Sequence, residues 1–282
     1  MRDFSNDHSA LALNTATLGH NIDGHGAGWS PEQVIDACAA RGLVGIVFWR
    51  REIGTRAVEI GDRVRAAGLE VVGLCRTPFL VGTGKPAALM DEVKASIDMA
   101  AGLGTSVLTI VSGGTEPGTK GVIESQKLLA DRVAAVADYA AERGVQLALE
   151  PLNPMFGGNR SVIFTVRDAL AVCDAVAKDN VGVAVDVYHV WWDRTLAESC
   201  AEARGRIFGY HLCDWLEDTS DMLLDRGMMG DGVADLKAIR RAVEEAGYAG
   251  PCEVEVFSRD NWWKRDPDEV LDEMVARFRA VS

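Results

Sequence analysis

The sequence has no block of basic residues and carries an excess of acidic ones. Its 282 residues include 29 Lys and Arg against 42 Asp and Glu, which gives a formal charge of −13. Nucleic-acid affinity rests largely on cations that neutralise phosphates, so we expect no nucleic-acid partner. No apolar run approaches the roughly 18 to 20 residues of a membrane span, and no apolar signal core follows Met1. We therefore expect a cytoplasmic protein with no membrane partner.

Closely spaced cysteines are also missing. The six cysteines are far apart along the chain and form no C-x-x-C pair, which argues against a disulfide framework or a thiolate metal site. We expect reduced, buried thiols, because a free cysteine behaves as a small hydrophobic residue. With 48% hydrophobic residues, a chain of this length can bury a large core without covalent cross-links.

One short pattern recurs six times along the chain. An alanine-rich amphipathic segment ends at a glycine, and a short apolar run of strand length follows. A glycine just past a helix end supplies the left-handed C-terminal cap, so each repeat predicts a junction from helix to strand. The six junction glycines are Gly42, Gly68, Gly104, Gly144, Gly205 and Gly247.

Two more apolar runs, at residues 10–16 and 181–190, bring the number of predicted strands to eight, each followed by a helical segment. Helix starts are marked by Ser30 with Gln33, a capping box, and by Asp266 before Pro267. Intervals of about 25 to 44 residues fit eight βα units. We predict an α/β fold, a single (β/α)8 TIM barrel with one domain over residues 1–282. The strands are expected to end near Asn14, Trp49, Arg76, Ser112, Glu150, Asp186, His211 and Glu255.

A doubly wound parallel sheet is the alternative fold. Such a sheet usually carries a glycine-rich phosphate turn after its first strand, and the sequence has no G-x-G-x-x-G there. The pair Gly113 and Gly114, which follows the fourth strand, lacks that spacing. The barrel is therefore the favoured architecture.

Four residues with metal-ligand chemistry stand at the ends of four consecutive predicted strands, namely Glu150, Asp186, His211 and Glu255. Each belongs to the polar or small set of its strand, while the alternate residues are mostly apolar and suit packing against helices. In a TIM barrel the active site lies at the carboxyl ends of the strands. We therefore expect these four side chains to converge in the barrel mouth.

Three carboxylates in one cavity would repel one another unless a cation compensates them. Mostly oxygen ligands with one imidazole nitrogen suit one divalent metal ion. We expect Mn²⁺, with Mg²⁺, Co²⁺ or Zn²⁺ as alternatives. Glu253 also has inward parity, and it either supports the ligands as a buried carboxylate or exchanges roles with Glu255.

These residues and the segments around them resemble the xylose-isomerase-like TIM-barrel superfamily of sugar isomerases and epimerases. Within it, the chain looks most similar to 2-keto-myo-inositol (inosose) isomerases, followed by the ketose 3-epimerases. The segments that carry the resemblance are 150–153, 186–189, His211, 225–232 and 255–257.

The resemblance implies that Glu150, Asp186, His211 and Glu255 bind the metal. It also implies that Glu150 and Glu255 act as the acid and base that move a proton on the carbon beside a carbonyl. By the same resemblance His189 and Arg226 bind substrate. Two further substrate contacts, Trp49 and Asn14, are suggested by their positions at the ends of the second and first strands.

The expected substrate is a small, non-phosphorylated keto-sugar or keto-inositol, and a homo-oligomer is possible for this family. A lyase that eliminates a β-hydroxyl group or an aglycone through the same enediolate is the main alternative. An endonuclease of the same superfamily is disfavoured, because its three-metal cluster needs additional histidines and the chain has only five. A sugar-binding barrel without catalysis is a further alternative that would leave the acid/base pair unused.

Overall fold

Eight parallel strands close into a barrel in the computed structural model, which describes residues 1–84 and 86–281. Each strand pairs with the next along the chain, and the last pairs with the first. This arrangement confirms the predicted (β/α)8 barrel. The strands are β1 (Leu11–Asn14), β2 (Gly45–Trp49), β3 (Glu70–Cys75), β4 (Val107–Val111), β5 (Gln146–Glu150), β6 (Val181–Asp186), β7 (Ile207–Leu212) and β8 (Cys252–Val254).

Helices follow every strand and surround the barrel. Two strands, β2 and β6, are each followed by a four-residue helix and then by a longer one. The α-helices of the described chain are α1 (Pro31–Ala40), α2 (Arg50–Ile53), α3 (Ala57–Ala66), α4 (Pro86–Leu103), α5 (Ile123–Ala141), α6 (Val166–Val176), α7 (Val187–Val190), α8 (Leu196–Glu202), α9 (Leu236–Glu245) and α10 (Pro267–Val281).

The predicted junctions between helices and strands have the expected backbone geometry. All six junction glycines have positive φ angles, between 67° and 93°, a region that a side chain would make unfavourable. The capping box before α1 is present, because Ser30 Oγ accepts the Gln33 N–H and Gln33 Oε1 accepts the Ser30 N–H. Asp266 Oδ1 accepts the Asp268 N–H at the start of α10.

Two predicted strand runs are shorter than expected, and in both a polar side chain ends the strand. In the run 181–190, Asp186 Oδ1 accepts the Tyr188 N–H at 2.7 Å, and residues 187–190 form α7 instead. In the run 10–16, Asn14 Oδ1 accepts the Ala16 N–H at 2.9 Å, and a 3₁₀ turn begins at Thr15. Capping by these side chains competes with strand pairing.

The core lies between the barrel and its helices. The apolar faces of β5 and β6, such as Leu147, Leu149, Val183 and Val185, are fully buried. Burying one such side chain contributes about 1.5 to 3 kcal/mol. All six cysteines are buried and free of disulfide bonds. Among the described residues, no helix combines the length and the apolar character needed to cross a membrane.

Candidate metal centre and active site

The four predicted ligand residues meet at the carboxyl end of the barrel. Glu150 and Asp186 are the last residues of β5 and β6, His211 is the penultimate residue of β7, and Glu255 follows β8 directly. All four are buried, and one ligand atom from each lies within 4.8 Å of the others. Because all four side chains point inward from their strand ends, residues that are distant in sequence form one cluster.

Arg226 is an integral part of this cluster. Its Nη1 lies 3.1 Å from Asp186 Oδ2 and 3.0 Å from Glu255 Oε2, and the guanidinium is packed between the rings of Tyr188 and Phe257. The residue is 2% exposed, although it belongs to the loop between β7 and α9. Arg226 therefore compensates two of the buried carboxylates directly.

The two ring nitrogens of His211 contact different carboxylates. Nδ1 lies 2.8 Å from Glu150 Oε1, and Nε2 lies 3.3 Å from Glu253 Oε2. Burial opposes the charged imidazolium, but Glu253 and Glu150 outweigh it and raise the pKa of His211 well above its usual value. In the absence of a metal, these carboxylates therefore favour the imidazolium form of the ring.

Asn14 links the two glutamates of β8 and its extension. Its Nδ2 donates to Glu253 Oε1 at 2.5 Å and to Glu255 Oε1 at 2.9 Å, and its Oδ1 accepts from Trp49 Nε1 at 2.9 Å. Asn14 is fully buried, and its side-chain polar atoms form hydrogen bonds with other residues of the protein. The structure places Asn14 behind the carboxylates, where it orients them.

Burial and neighbouring charges give the clustered carboxyl groups different pKa values. Burial raises the pKa of Glu255 to about 8, because the repulsion of Glu150 and Asp186 adds to desolvation while Arg226 only partly offsets it. Burial also opposes ionisation of Asp186, yet Arg226 and His189 hold the pKa of that carboxyl below its usual value. The metal-free site therefore holds protons at neutral pH.

The charges and donor atoms of the cluster fit a divalent cation. The buried carboxylates of Glu150, Asp186, Glu253 and Glu255 face one guanidinium and the imidazoles of His211 and His189, so negative charge is in excess when all four are ionised. Carboxylate oxygens with one imidazole nitrogen are suitable ligands for such a cation. Glu150, Asp186, His211 and Glu255 form one group able to hold it, and Cys75, Glu253 and Glu255 form a second group whose ligand atoms also lie within 4.8 Å of one another.

A cleft opens from the cluster to the surface. Both candidate acid/base residues contribute to its wall, as do three of the four predicted substrate contacts, whereas Asn14 does not. The lining residues include Trp49, Arg76, Glu150, Phe156, Arg160, His189, Arg226, Glu255 and Phe257.

His189 presents a neutral imidazole to this cleft. It lies in α7, where Nδ1 accepts the Asn153 N–H at 3.3 Å, so that Nε2 carries the hydrogen. Nε2 lies 3.8 Å from Asp186 Oδ2. Burial lowers the pKa of His189 to about 4 despite the attraction of Asp186. The ring can therefore donate a hydrogen bond without carrying charge at neutral pH.

Several cleft residues were not singled out by sequence reasoning. Arg76 follows β3 directly, and its position at a strand end was a usable signal. Arg160 belongs to the loop between β5 and α6, where no periodic pattern marks it. Cys75 Sγ lies 4.0 Å from Glu255 Oε1, and its strand end likewise brings it to the barrel mouth.

Comparison with known proteins agrees with the fold. The family described as xylose isomerase-like TIM barrel matches residues 35–281, and the chain belongs to this family. A crystal structure of a protein from Sinorhizobium meliloti 1021 has a TM-score of 0.90 and 41% sequence identity, with 98% of this chain and 99% of that chain covered.

More distant relatives have functional names. An inosose isomerase of Bacillus subtilis is 30% identical over 155 residues, 52% of each chain. An L-ribulose 3-epimerase of a Methylomonas species is 29% identical over 140 residues, 48% of this chain and 45% of the relative. The chain thus spans about half the length of the curated relatives it matches. A structure described as IOLI protein with a binding zinc atom has a TM-score of 0.81 at 21% identity, covering 96% of this chain and 97% of that one.

Proposed function

We propose that the protein is a divalent-metal-dependent isomerase or epimerase of a small keto-sugar or keto-inositol. The observation that carries this proposal is that Glu150 and Glu255, from β5 and β8, line one cleft at a buried four-ligand cluster. The relatives named as inosose isomerase and ribulose epimerase support the same class of reaction. We further propose that the chain acts as one domain over residues 1–282.

The metal would be held by Glu150, Asp186, His211 and Glu255. Bound there, it would supply Lewis-acid stabilisation of the negative charge that develops on the substrate oxygens when a proton leaves the carbon beside the carbonyl. The zinc atom of the related barrel structure supports a metal in this fold, and the donor set of this chain also accepts Mn²⁺, Mg²⁺ or Co²⁺.

The chain's own carboxylates would move the proton. One of the two, Glu150 or Glu255, removes a proton from the substrate carbon beside the carbonyl, which leaves an enediolate. The other carboxyl group, reaching the substrate from the opposite part of the barrel, returns a proton. Return to the same carbon on the opposite face gives an epimer, whereas return to the neighbouring carbon gives an isomer.

Side chains on the cleft wall would position the substrate and the carboxyl groups. The Nε2–H of His189 can donate to a substrate oxygen, while Arg226 holds the Asp186 and Glu255 carboxyl groups in place. The rings of Trp49 and Phe257, whose centroids are 5.8 Å apart, form an apolar wall for the carbon face of the sugar. Asn14 acts behind this wall as a positioning residue, since it contacts both glutamates.

Proton NMR of a small panel of ketoses and keto-inositols in D₂O tests the proposal. The panel would be incubated with Mn²⁺-loaded enzyme, and enzyme and metal would be removed before spectra are taken. Loss of an α-proton signal together with a new isomer or epimer is the expected result. A dehydrated product or a released aglycone would instead place the protein among the lyases. A panel on which neither exchange nor product is detected would overturn the proposed reaction for these substrates.

A further inference from the structure

Two arginines on the wall of the active-site cleft have no acidic partner. Arg76 and Arg160 line the same cleft as Glu150 and Glu255, yet neither forms an ion pair within the described part of the chain. Arg226, deeper in the cleft, instead contacts two carboxylates. In a chain with a net charge of −13, acidic partners are abundant, so the absence of partners at this position requires an explanation.

Both side chains are held at one place by the same aromatic ring. The guanidinium carbon of Arg76 lies 4.2 Å from the centre of the Phe79 ring, and that of Arg160 lies 5.7 Å from it. Arg76 Nη1 donates to the Thr77 carbonyl at 3.0 Å. The backbone of Arg160 is fixed because its carbonyl accepts the Gly113 N–H at 3.1 Å. Two guanidinium groups therefore lie near one aromatic ring at the cleft before any ligand binds.

This arrangement is electrostatically unfavourable without an anion. Burial and the neighbouring Arg160 lower the pKa of Arg76 to about 10, and the attraction of Glu150 is a smaller effect. Burial and the repulsion of Arg226 also lower the pKa of Arg160. The carboxylates of the cluster therefore do not neutralise these two arginines. A bound anion would remove this cost and would gain charge-assisted hydrogen bonds.

A third arginine extends the same wall outwards. Arg50 Nη1 donates to the Arg76 carbonyl at 3.5 Å, and its Nε is buried without a hydrogen-bond partner in the described residues. A shallower depression next to the cleft is lined by Arg50 and Arg76 together. Arg51, by contrast, is paired with Asp23 at the surface.

We propose that Arg76 and Arg160 form a subsite for an anionic group of the substrate, a carboxylate or a phosphate, at the end of the sugar remote from the reacting carbon. The inference rests on the proposed function, because the reacting end would lie at the Glu150 and Glu255 carboxylates. The subsite implies that the substrate is an anionic keto-sugar, either a keto-aldonate or a ketose phosphate. The names of the inosose and ribulose enzymes do not indicate this, since those sugars carry no charge.

Isothermal titration calorimetry with three matched sugars tests the subsite. The probes are D-fructose, D-fructose 6-phosphate and 5-keto-D-gluconate, each titrated into metal-loaded wild-type protein. At least one charged probe is expected to bind ten-fold or more tightly than fructose, and the probe that does so distinguishes phosphate from carboxylate. Equal affinities for all three would overturn the proposal.

Single substitutions test whether Arg76 and Arg160 cause the preference for the charged probe. R76Q and R160Q are each expected to remove most of the preference for the charged probe while leaving fructose affinity within two-fold of wild type. R204Q is the matched control, because Arg204 is exposed and far from the cleft, before β7. Thermal unfolding checks that each variant is folded. Retention of the full preference in R76Q and R160Q would overturn the assignment to these residues.

Salt dependence gives a measurement on the unmodified protein. Raising NaCl from 50 to 300 mM should lower the affinity for the charged probe several-fold and leave the affinity for fructose unchanged, since screening acts on the ionic contact only. A salt-independent preference would contradict the subsite. The deuterium-exchange experiment separates this result from the proposed reaction. Exchange on neutral sugars without anion preference would refute only the subsite, whereas anion preference without exchange on any probe would refute only the reaction.

Discussion

The carboxylate of Glu253 lies 3.3 Å from Nε2 of His211, while Nδ1 of the same ring contacts Glu150 in the cluster. Glu255 lines the cleft, whereas Glu253 contacts the histidine and does not belong to the cleft lining in the described part of the chain. A carboxylate on the second ring nitrogen fixes the tautomer of a histidine ligand and increases its basicity. Glu253 therefore has the geometry of a residue that orients His211 toward a metal.

We predict that E253Q weakens metal binding by about 10- to 100-fold, because the imidazole loses the charged partner that orients it. At saturating metal, turnover should stay within a few-fold of wild type. Titration calorimetry with Mn²⁺ measures the first quantity and a metal-saturated rate assay the second. E245Q, an exposed glutamate at the end of α9, serves as control. Wild-type metal affinity in E253Q would contradict the orienting role.

For the candidate acid/base pair, E150Q and E255Q should each lower turnover by about 10²- to 10⁴-fold at saturating metal, the range of general acid/base catalysis. The amide can neither accept nor return the proton. Solvent-deuterium incorporation into substrate and product formation are measured separately, with E245Q as control. Near-normal rates in either variant would rule out that residue as acid or base.

Arg226 is predicted to stabilise the metal-free protein. In R226Q, the ionised Asp186 remains buried without its counter-charge and Glu255 loses its guanidinium contact, so the free energy of unfolding should fall by about 3 to 5 kcal/mol. Urea denaturation with chelator measures this loss, and saturating Mn²⁺ should recover part of it. The control is R206Q, which removes the half-exposed pair with Asp174 and should cost about 1 kcal/mol or less. Equal losses in R226Q and R206Q would contradict the prediction.

Metal affinity should rise with pH between about 6 and 8. Without metal, Glu255 has a pKa of about 8 and the pKa of His211 is raised, so both groups hold protons at pH 7. Ligands must lose their protons to bind a metal, and a higher pH removes these protons beforehand. Calorimetry in buffers of different ionisation enthalpy should detect proton release, with fewer protons released by E255Q. Affinity that does not change over this range would contradict the assigned protonation.

The repeating order of strand and helix could be predicted because it depends on local chemistry. A glycine such as Gly144 ends a helix wherever the chain needs a positive φ, and the capping box at Ser30 marks a start for equally local reasons. The runs 10–16 and 181–190 extend past the observed strand ends, because Asn14 and Asp186 cap the next turn with their own side chains.

The sequence by itself determined the barrel and the convergence of Glu150, Asp186, His211 and Glu255, since strand parity and the closure of eight βα units dictate both. Only the tertiary structure decided which contacts the surrounding groups make. Arg226 reaches Asp186 and Glu255 from a loop, and Arg160 joins Arg76 over Phe79 across two different loops. Loop conformation depends on contacts between residues far apart in sequence, and no local period encodes such contacts.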